Sequence, residues 1–427
     1  MISRRRFITG LGAGVTVGLT GGYALTIWQR DPGSSSAKAA SRLESTPSPG
    51  AFGQPGNDRT LVVVEMAGGN DGLNTVVPHA TAAYYDLRPT IRIEDPLDLD
   101  GEIGLHPSLT FLADEFRAGR LAVVEGVGYP EPNLSHFESM ATWWTADAGY
   151  TSDAGWLGRM LDGTVGFEHP LAGISIGPGP TQALLGDASF VVSIQDDRGL
   201  QPDVPPWIDN VDDLLGVWDG VAPAEALAGS DALAAVGRAT AATAAARDDL
   251  AAAMSRSGVD GGGRGRRGRT ILSDQLAVAA DLIASGLAPT VIYVHGFGDY
   301  DTHGNQLGRH EVELRELDEG IQTFFSALDR AGVGERAIVV TTSEFGRRAA
   351  DNGSGTDHGT ASSLFVMGSP VTGGRYGETP SLTSLDASGN MIHSVDFRSV
   401  YATVLESWLE VDSVAILNAD YETLGFV

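Results

Sequence analysis

Short runs of β-branched and apolar residues recur along the chain, separated by stretches whose apolar positions follow helical spacing. Seven runs read as buried strands: Thr60–Met66, Leu121–Val127, Leu171–Ile176, Ser189–Ile194, Pro289–His295, Ala337–Thr342 and Ser362–Met367. Within them, LVVVE and AIVVTT are apolar at successive positions instead of alternating, as strands covered on both faces should be. Helical patterns lie between, at Pro107–Ala118, Ser135–Thr145, Asp231–Met254, Ser273–Ser285 and Gln306–Asp329. Strand–helix alternation of this kind predicts a mostly parallel sheet sandwiched between helices. The pattern shows no internal repeat and no break between two cores, so residues 59–427 read as one α/β unit behind a Ser/Pro/Gly-rich linker at 40–58. A Gly- and Arg-dense stretch within 257–269 cannot pack and reads as a mobile surface loop.

The N-terminus departs from this pattern. Ser3, the adjacent Arg4, Arg5 and Arg6, then Phe7 and Ile8 precede an apolar, glycine-rich run that reaches Trp28. This is the layout of a twin-arginine signal, and Ala37-Lys38-Ala39 offers a small-residue cleavage site, so residues 1–39 read as a signal peptide. The alternative is an uncleaved anchor, because about 20 residues can cross a bilayer. Either way the expected partner is the twin-arginine translocase, and the expected location is the periplasm, the cell envelope or the exterior. With no cysteine, an exported chain forgoes disulfides and thiolate ligands and must rest on its core. The net charge of −27 over 427 residues argues against nucleic acid as a partner. It also means that an anionic substrate would need local positive charge from a metal, a helix N-terminus or a few arginines. Nothing in the pattern specifies an oligomeric state.

Four segments place charged or imidazole groups at strand ends, where open α/β sheets build their sites. After the first strand, Glu65 leads into a Gly-Gly-Asn-Asp turn whose Asp71 is either an oxygen ligand for a hard cation or an Asx-type turn. In the second, Ser135 and Glu138 form a capping-box pattern, while Ser135 at a helix N-terminus is also a candidate nucleophile and His136 a candidate proton-transfer or substrate-positioning group. The third is the densest: His295, Asp299, Asp301 and His303 follow one strand within a glycine turn, and carboxylates with neutral imidazoles are what Zn²⁺, Mn²⁺ or Fe accept. In the fourth, Glu344 and Arg347 end a strand and Asp357-His358 follows on a glycine-rich loop. Arg347 reads as a clamp for an oxyanion or as a structural partner of Glu344.

Together these segments resemble the twin-arginine-exported proteins called domain of unknown function 1501. The matching motifs are Gly68–Asn74 (GGNDGLN), Ser135–Phe137 (SHF), Asp301–Gln306 (DTHGNQ), Ser343–Arg347 (SEFGR) and Gly355–Gly359 (GTDHG). The resemblance implies the alkaline phosphatase and sulfatase superfamily, with a three-layer sandwich around a large, mostly parallel sheet. It implies hydrolysis or transfer of phosphate or sulfate esters, small or polymer-borne. By position, it implies Ser135 as nucleophile, to which the residue reading above adds His136 and Arg347 as assisting groups. One or two divalent ions (Zn, Mn, Ca or Fe) would be held among Asp71, Asp299, Asp301, His303, Glu344, Asp357 and His358, with Asp299 and His303 having the Asp-x-x-x-His spacing. Glu344-Phe345 stands where the superfamily has Asp-His. The competing expectation is a non-catalytic exported protein that keeps the fold and binds a ligand or an envelope partner.

Overall fold

The computed structural model describes residues 13–18, 23–29, 58–149, 152–166, 169, 171–196 and 270–427. The helix expected at Asp231–Met254, the loop at 257–269 and the linker up to residue 57 lie outside them. Eleven strands form one sheet: β1 (Ala13–Gly18), β2 (Tyr23–Gln29), β3 (Thr60–Glu65), β7 (Leu121–Gly128), β8 (Gly173–Ile176), β9 (Val191–Asp196), β10 (Val291–Val294), β11 (Ala337–Thr342), β12 (Ser362–Met367), β13 (Gly374–Gly377) and β14 (Val395–Asp396). A small antiparallel sheet of β4 (Val76–Val77), β5 (Leu97–Asp98) and β6 (Gly104–Leu105) stands apart. The main order is β1-β2-β9-β8-β10-β3-β11-β12-β7-β13, with β14 also on β7. Among these strands only β2 and β12 run against the rest, so the sheet is mixed but mostly parallel.

All seven strands expected from the apolar runs are present. The N-terminal run, read for its apolar length, supplies two further strands in β1 and β2, and its Val, Thr, Ile, Tyr and Trp residues suit extended backbone.

Alternate strand residues enter two separate cores, which is how the sheet is covered on both faces. Val62, Val64, Ile292 and Val294 pack with helices α3 (Thr110–Arg117), α6 (Ile271–Ala284) and α7 (Gln306–Ala331), numbered after the short α1 (Gly72–Thr75) and α2 (Ala82–Leu87). Leu61, Val63, Val291 and Tyr293 face the opposite way, toward α4 (His136–Thr145), α5 (Trp156–Thr164), α8 (Phe397–Thr403) and α9 (Ser413–Leu417). The result is a three-layer α/β sandwich. No helix among the described residues is long and apolar enough to cross a membrane.

This topology positions the site. The loops that follow β3, β7, β10 and β11 all leave from the C-terminal ends of parallel strands. Because β12 is reversed, the loop that enters it arrives at the same edge and brings His358 there.

Candidate metal centre

Four side chains from three loops converge at that edge. His136 is the first residue of α4, Asp301 and His303 lie in the loop after β10, and His358 lies in the loop before β12. Asp301 is central. Its Oδ1 lies 3.1 Å from His303 Nε2 and 3.2 Å from His358 Nε2, and its Oδ2 lies 3.5 Å from His136 Nε2. The two Nε2 atoms of His303 and His358 are themselves 3.0 Å apart. One ligand atom from each of His136, Asp301 and His358 can be chosen so that all lie within 4.8 Å of one another.

The far side of each ring decides what these atoms are. His358 Nδ1 lies 2.9 Å from the carbonyl of Leu134, which can only accept, so Nδ1 carries a proton and Nε2 is the atom turned toward Asp301. His136 Nδ1 faces Glu344 Oε1 at 2.8 Å, and His303 Nδ1 faces Asp357 Oδ1 at 3.4 Å. Rings held this way turn three Nε2 atoms toward one carboxylate, and each offers it a lone pair when neutral or an N–H when protonated. Bare nitrogens do not settle 3.0 Å apart against an anion without a proton or a cation between them. Imidazoles whose outer N–H is tied to a carboxylate or carbonyl are the usual arrangement around a bound metal.

The surroundings sharpen the electrostatics. Burial would raise the Asp301 carboxyl, but the hydrogen bond and charge of Arg347, aided by His358 and His303, hold it down at about 2. Asp301 is therefore ionised throughout the physiological range. The hydrogen bond that His136 donates to Glu344 raises its ring above the ordinary imidazole value, against the opposing effect of burial. Phe345 forms an apolar wall, with its ring centroid 5.0 Å from that of His136 and 4.6 Å from that of His358. Gly68 lets the loop after β3 lie on this assembly: its φ is +116°, and a Cβ there would come within 2.4 Å of Asp301 N.

Several expected site residues are placed elsewhere. Asp71 is fully buried, caps α1 through Leu73 N and Asn74 N, and pairs with Arg88 Nη1 at 2.6 Å while Gln306 donates to the same oxygen, Oδ2. Its acceptors are filled, so the Asx-type reading applies and it does not join the cluster. Asp299 turns to Arg309 Nη2 (2.8 Å), so the loop presents Asp301 and His303 instead of the Asp299–His303 pair. Arg347 is wholly buried and cannot clamp a substrate oxyanion. It donates to the carbonyls of Gly68, Gly69, Tyr300 and Thr356 and to Asp301 Oδ1, binding three loops into one frame. Nor does it pair with Glu344, which stands behind His136 and also accepts from Gly68 N at 2.8 Å. Asp357 takes the corresponding place behind His303, with Asn352 Nδ2 at 3.3 Å from the same oxygen. The Ser135–Glu138 capping box is not formed. Glu138 accepts from Asn133 Nδ2, the Ser135 N–H donates to Asn133 Oδ1 at 2.8 Å, and the exposed Ser135 hydroxyl makes no capping bond. Ser135 lies between Leu134, which holds His358, and His136.

Glu65, named in the sequence only as the lead into the Asp71 turn, forms a second polar group. Glu65 is fully buried at the end of β3 and accepts from Tyr293 OH (2.6 Å) and Trp144 Nε1 (2.7 Å). Desolvation, with a smaller contribution from the charge of Glu344, pushes its carboxyl up to about 7.

Fold and site together define a three-layer α/β protein with an imidazole-rich candidate metal centre at the C-terminal edge of its sheet. A family model described as "Protein of unknown function (DUF1501)" matches residues 222–411. No curated protein matches the sequence. Among solved structures, the chain is similar to an alkaline phosphatase superfamily protein from Vibrio parahaemolyticus, with 10% identity, TM-score 0.36, and 85% of this chain and 69% of that one covered. It is also similar to the lipoteichoic acid synthase LtaP of Listeria monocytogenes (8% identity, TM-score 0.34, 73% and 65% covered). A third is the alkaline phosphatase of the Antarctic bacterium TAB5 (11% identity, TM-score 0.34, 75% and 93% covered).

Proposed function

We propose that this chain is an exported hydrolase of phosphate or sulfate esters that depends on a divalent metal held by His136, Asp301 and His358, with His303 alongside. The observation that carries the reading is the convergence of three outward-anchored imidazoles on the ionised Asp301. A bound divalent ion would supply Lewis-acid charge for an anionic ester at this edge.

The protein's own groups supply the rest. Ser135 stands at the N-terminus of α4, where the helix dipole favours an anion and an oxyanion nucleophile. Its Oγ would form the new bond to phosphorus or sulfur as the bond to the alcohol oxygen breaks. The serine proton would leave with the alcohol, and water would then release the inorganic anion and restore the serine. Arg347 keeps Asp301 charged and aimed, Glu344 and Asp357 orient their imidazoles, and Phe345 keeps water from one side. The test is a panel of phosphate mono- and diesters and sulfate esters, assayed with the unaltered protein and with Ser135→Ala. Turnover that Ser135→Ala abolishes supports the reading; turnover that survives the change, or no turnover on any ester, contradicts it.

Export rests on the Arg4-Arg5 signal and its apolar run. Changing both arginines to lysine should hold the protein in the cytoplasm, and unchanged export would contradict the assignment. A second reading, an exported binding protein without catalysis, is favoured by one observation: Arg347 is fully engaged and offers nothing to a substrate anion. Tight retention of an anionic ester without turnover would select it.

A further inference from the structure

We infer that the centre is built for one ion, and for a borderline transition metal such as Zn²⁺, not for Ca²⁺ or Mg²⁺. The inference rests on the metal reading above and concerns the number and class of ions, which that reading leaves open.

The donor set speaks to class. Two imidazole nitrogens and one carboxylate surround the position, with His303 Nε2 beside Asp301, whereas Ca²⁺ and Mg²⁺ call for shells of oxygen.

The neighbouring carboxylates speak to number. A second ion would need a second group of ligand atoms, and each nearby carboxylate is already engaged. Asp71 is neutralised by Arg88 and Gln306, Asp299 by Arg309, and Asp357 is held by Asn352 behind His303. Glu344 spends Oε1 on His136 Nδ1 and Gly68 N. Among the described residues, His136, Asp301 and His358 form the one group of three or more close ligand atoms. On the Glu344 side, Phe345 fills the space with carbon. Its ring is packed so closely on the Gly69 backbone that a Cβ there would lie 2.3 Å from it.

One buried oxygen remains, Glu344 Oε2, which finds no hydrogen-bond partner among the described residues. Its electrostatic neighbour is Glu65, whose Oε2 already accepts from Tyr293 and Trp144. Two glutamates, one of them committed to neutral donors, fall short of the ligand number that either class of ion takes. Glu65 is instead suited to retain a proton, which removes one of the two buried charges without a cation.

The experiment uses the full chain, stripped with a chelator and dialysed against equal concentrations of Zn²⁺, Mn²⁺, Ca²⁺ and Mg²⁺, with bound metal counted by plasma mass spectrometry. One transition-metal ion per chain is expected, with Ca²⁺ and Mg²⁺ at background, and His358→Ala should drop the count to background while the circular dichroism spectrum stays unchanged. Two ions per chain, or retained Ca²⁺ or Mg²⁺, would overturn the inference and leave the hydrolase proposal standing. No ion at all would overturn both. A single ion on a protein inactive toward every ester would sustain the inference and remove the hydrolase.

Discussion

Asp71 and Asp301 both follow apolar strands, both touch an arginine, and both are of the residue type that holds metals. Their surroundings set them apart. Asp71 has no exposure and meets only donors: Arg88, Gln306 and two backbone N–H groups. Asp301 is one-third exposed and meets Arg347 on one side, but three imidazole nitrogens on the other. The first carboxylate is neutralised by the protein itself. The second is faced by three imidazole nitrogens, an arrangement that needs protons or a metal cation between them. Ligand-type residues at strand ends thus do two jobs here, and donor–acceptor geometry tells them apart where residue type does not.

The largest effect should come from breaking the self-neutralised region. Arg88→Met removes the partner of a fully buried carboxylate and strands the carbonyls of Arg348 and Ala349, while Asn74 Oδ1 keeps only its bond from Tyr84 OH. Urea unfolding should show a loss of about 3–5 kcal/mol, while the folded fraction keeps its metal. Equal loss of metal would erase the contrast between the two regions.

Next comes Glu65, which lies in the buried frame behind the site. Its carboxyl stands at about 7 in the fold against an ordinary 4.5, so the fold favours the neutral acid. That contribution is complete below about pH 4.5 and is lost as pH rises through about 7. The difference corresponds to about 3 kcal/mol at most. Glu65→Gln should flatten the stability profile between pH 5 and 8 and make the protein the more stable form at pH 8. An unchanged slope would mean that Glu65 is already ionised.

Smaller effects should mark the residues behind the imidazoles. Glu344→Gln keeps the shape but weakens the hold on His136 Nδ1, and Zn²⁺ affinity measured by calorimetry should fall about 10- to 100-fold. Asp357→Asn acts on a longer contact to a more exposed ring, so its loss should be at or below about 10-fold. If Asp357→Asn costs more than Glu344→Gln, then His303 and not His136 is the better-held ligand.

The fold was largely legible because burial on both sheet faces writes apolar residues at successive positions, and the boundaries of β11 and β12 follow those runs to the residue. The sandwich itself follows from alternation of elements. The site was legible in residue type and loop, but not in partnership. Spacing could not decide between Asp299 and Asp301, because the choice is made by Arg309 one turn into α7. It could not show that Arg347 lies inside, since a strand-end arginine looks the same in sequence whether it faces solvent or four loop carbonyls. The dense glycines were the available sign: Gly359 sits where a Cβ would meet the Arg347 backbone at 2.3 Å. His136 was read as a proton-transfer or substrate-positioning group, and only the Glu344 contact behind its ring makes it a candidate ligand.

The most direct measurement is a calorimetric titration of the chelator-stripped protein with Zn²⁺, run beside His358→Ala. His358 is partly exposed and its ring makes one backbone contact, to Leu134, so the variant's metal-free melting temperature should match that of the unaltered chain. Tight binding in the unaltered chain, weakened at least about 100-fold in His358→Ala, is the expected result. Absence of binding, or equal binding in both proteins, would contradict a metal centre at His136, Asp301 and His358.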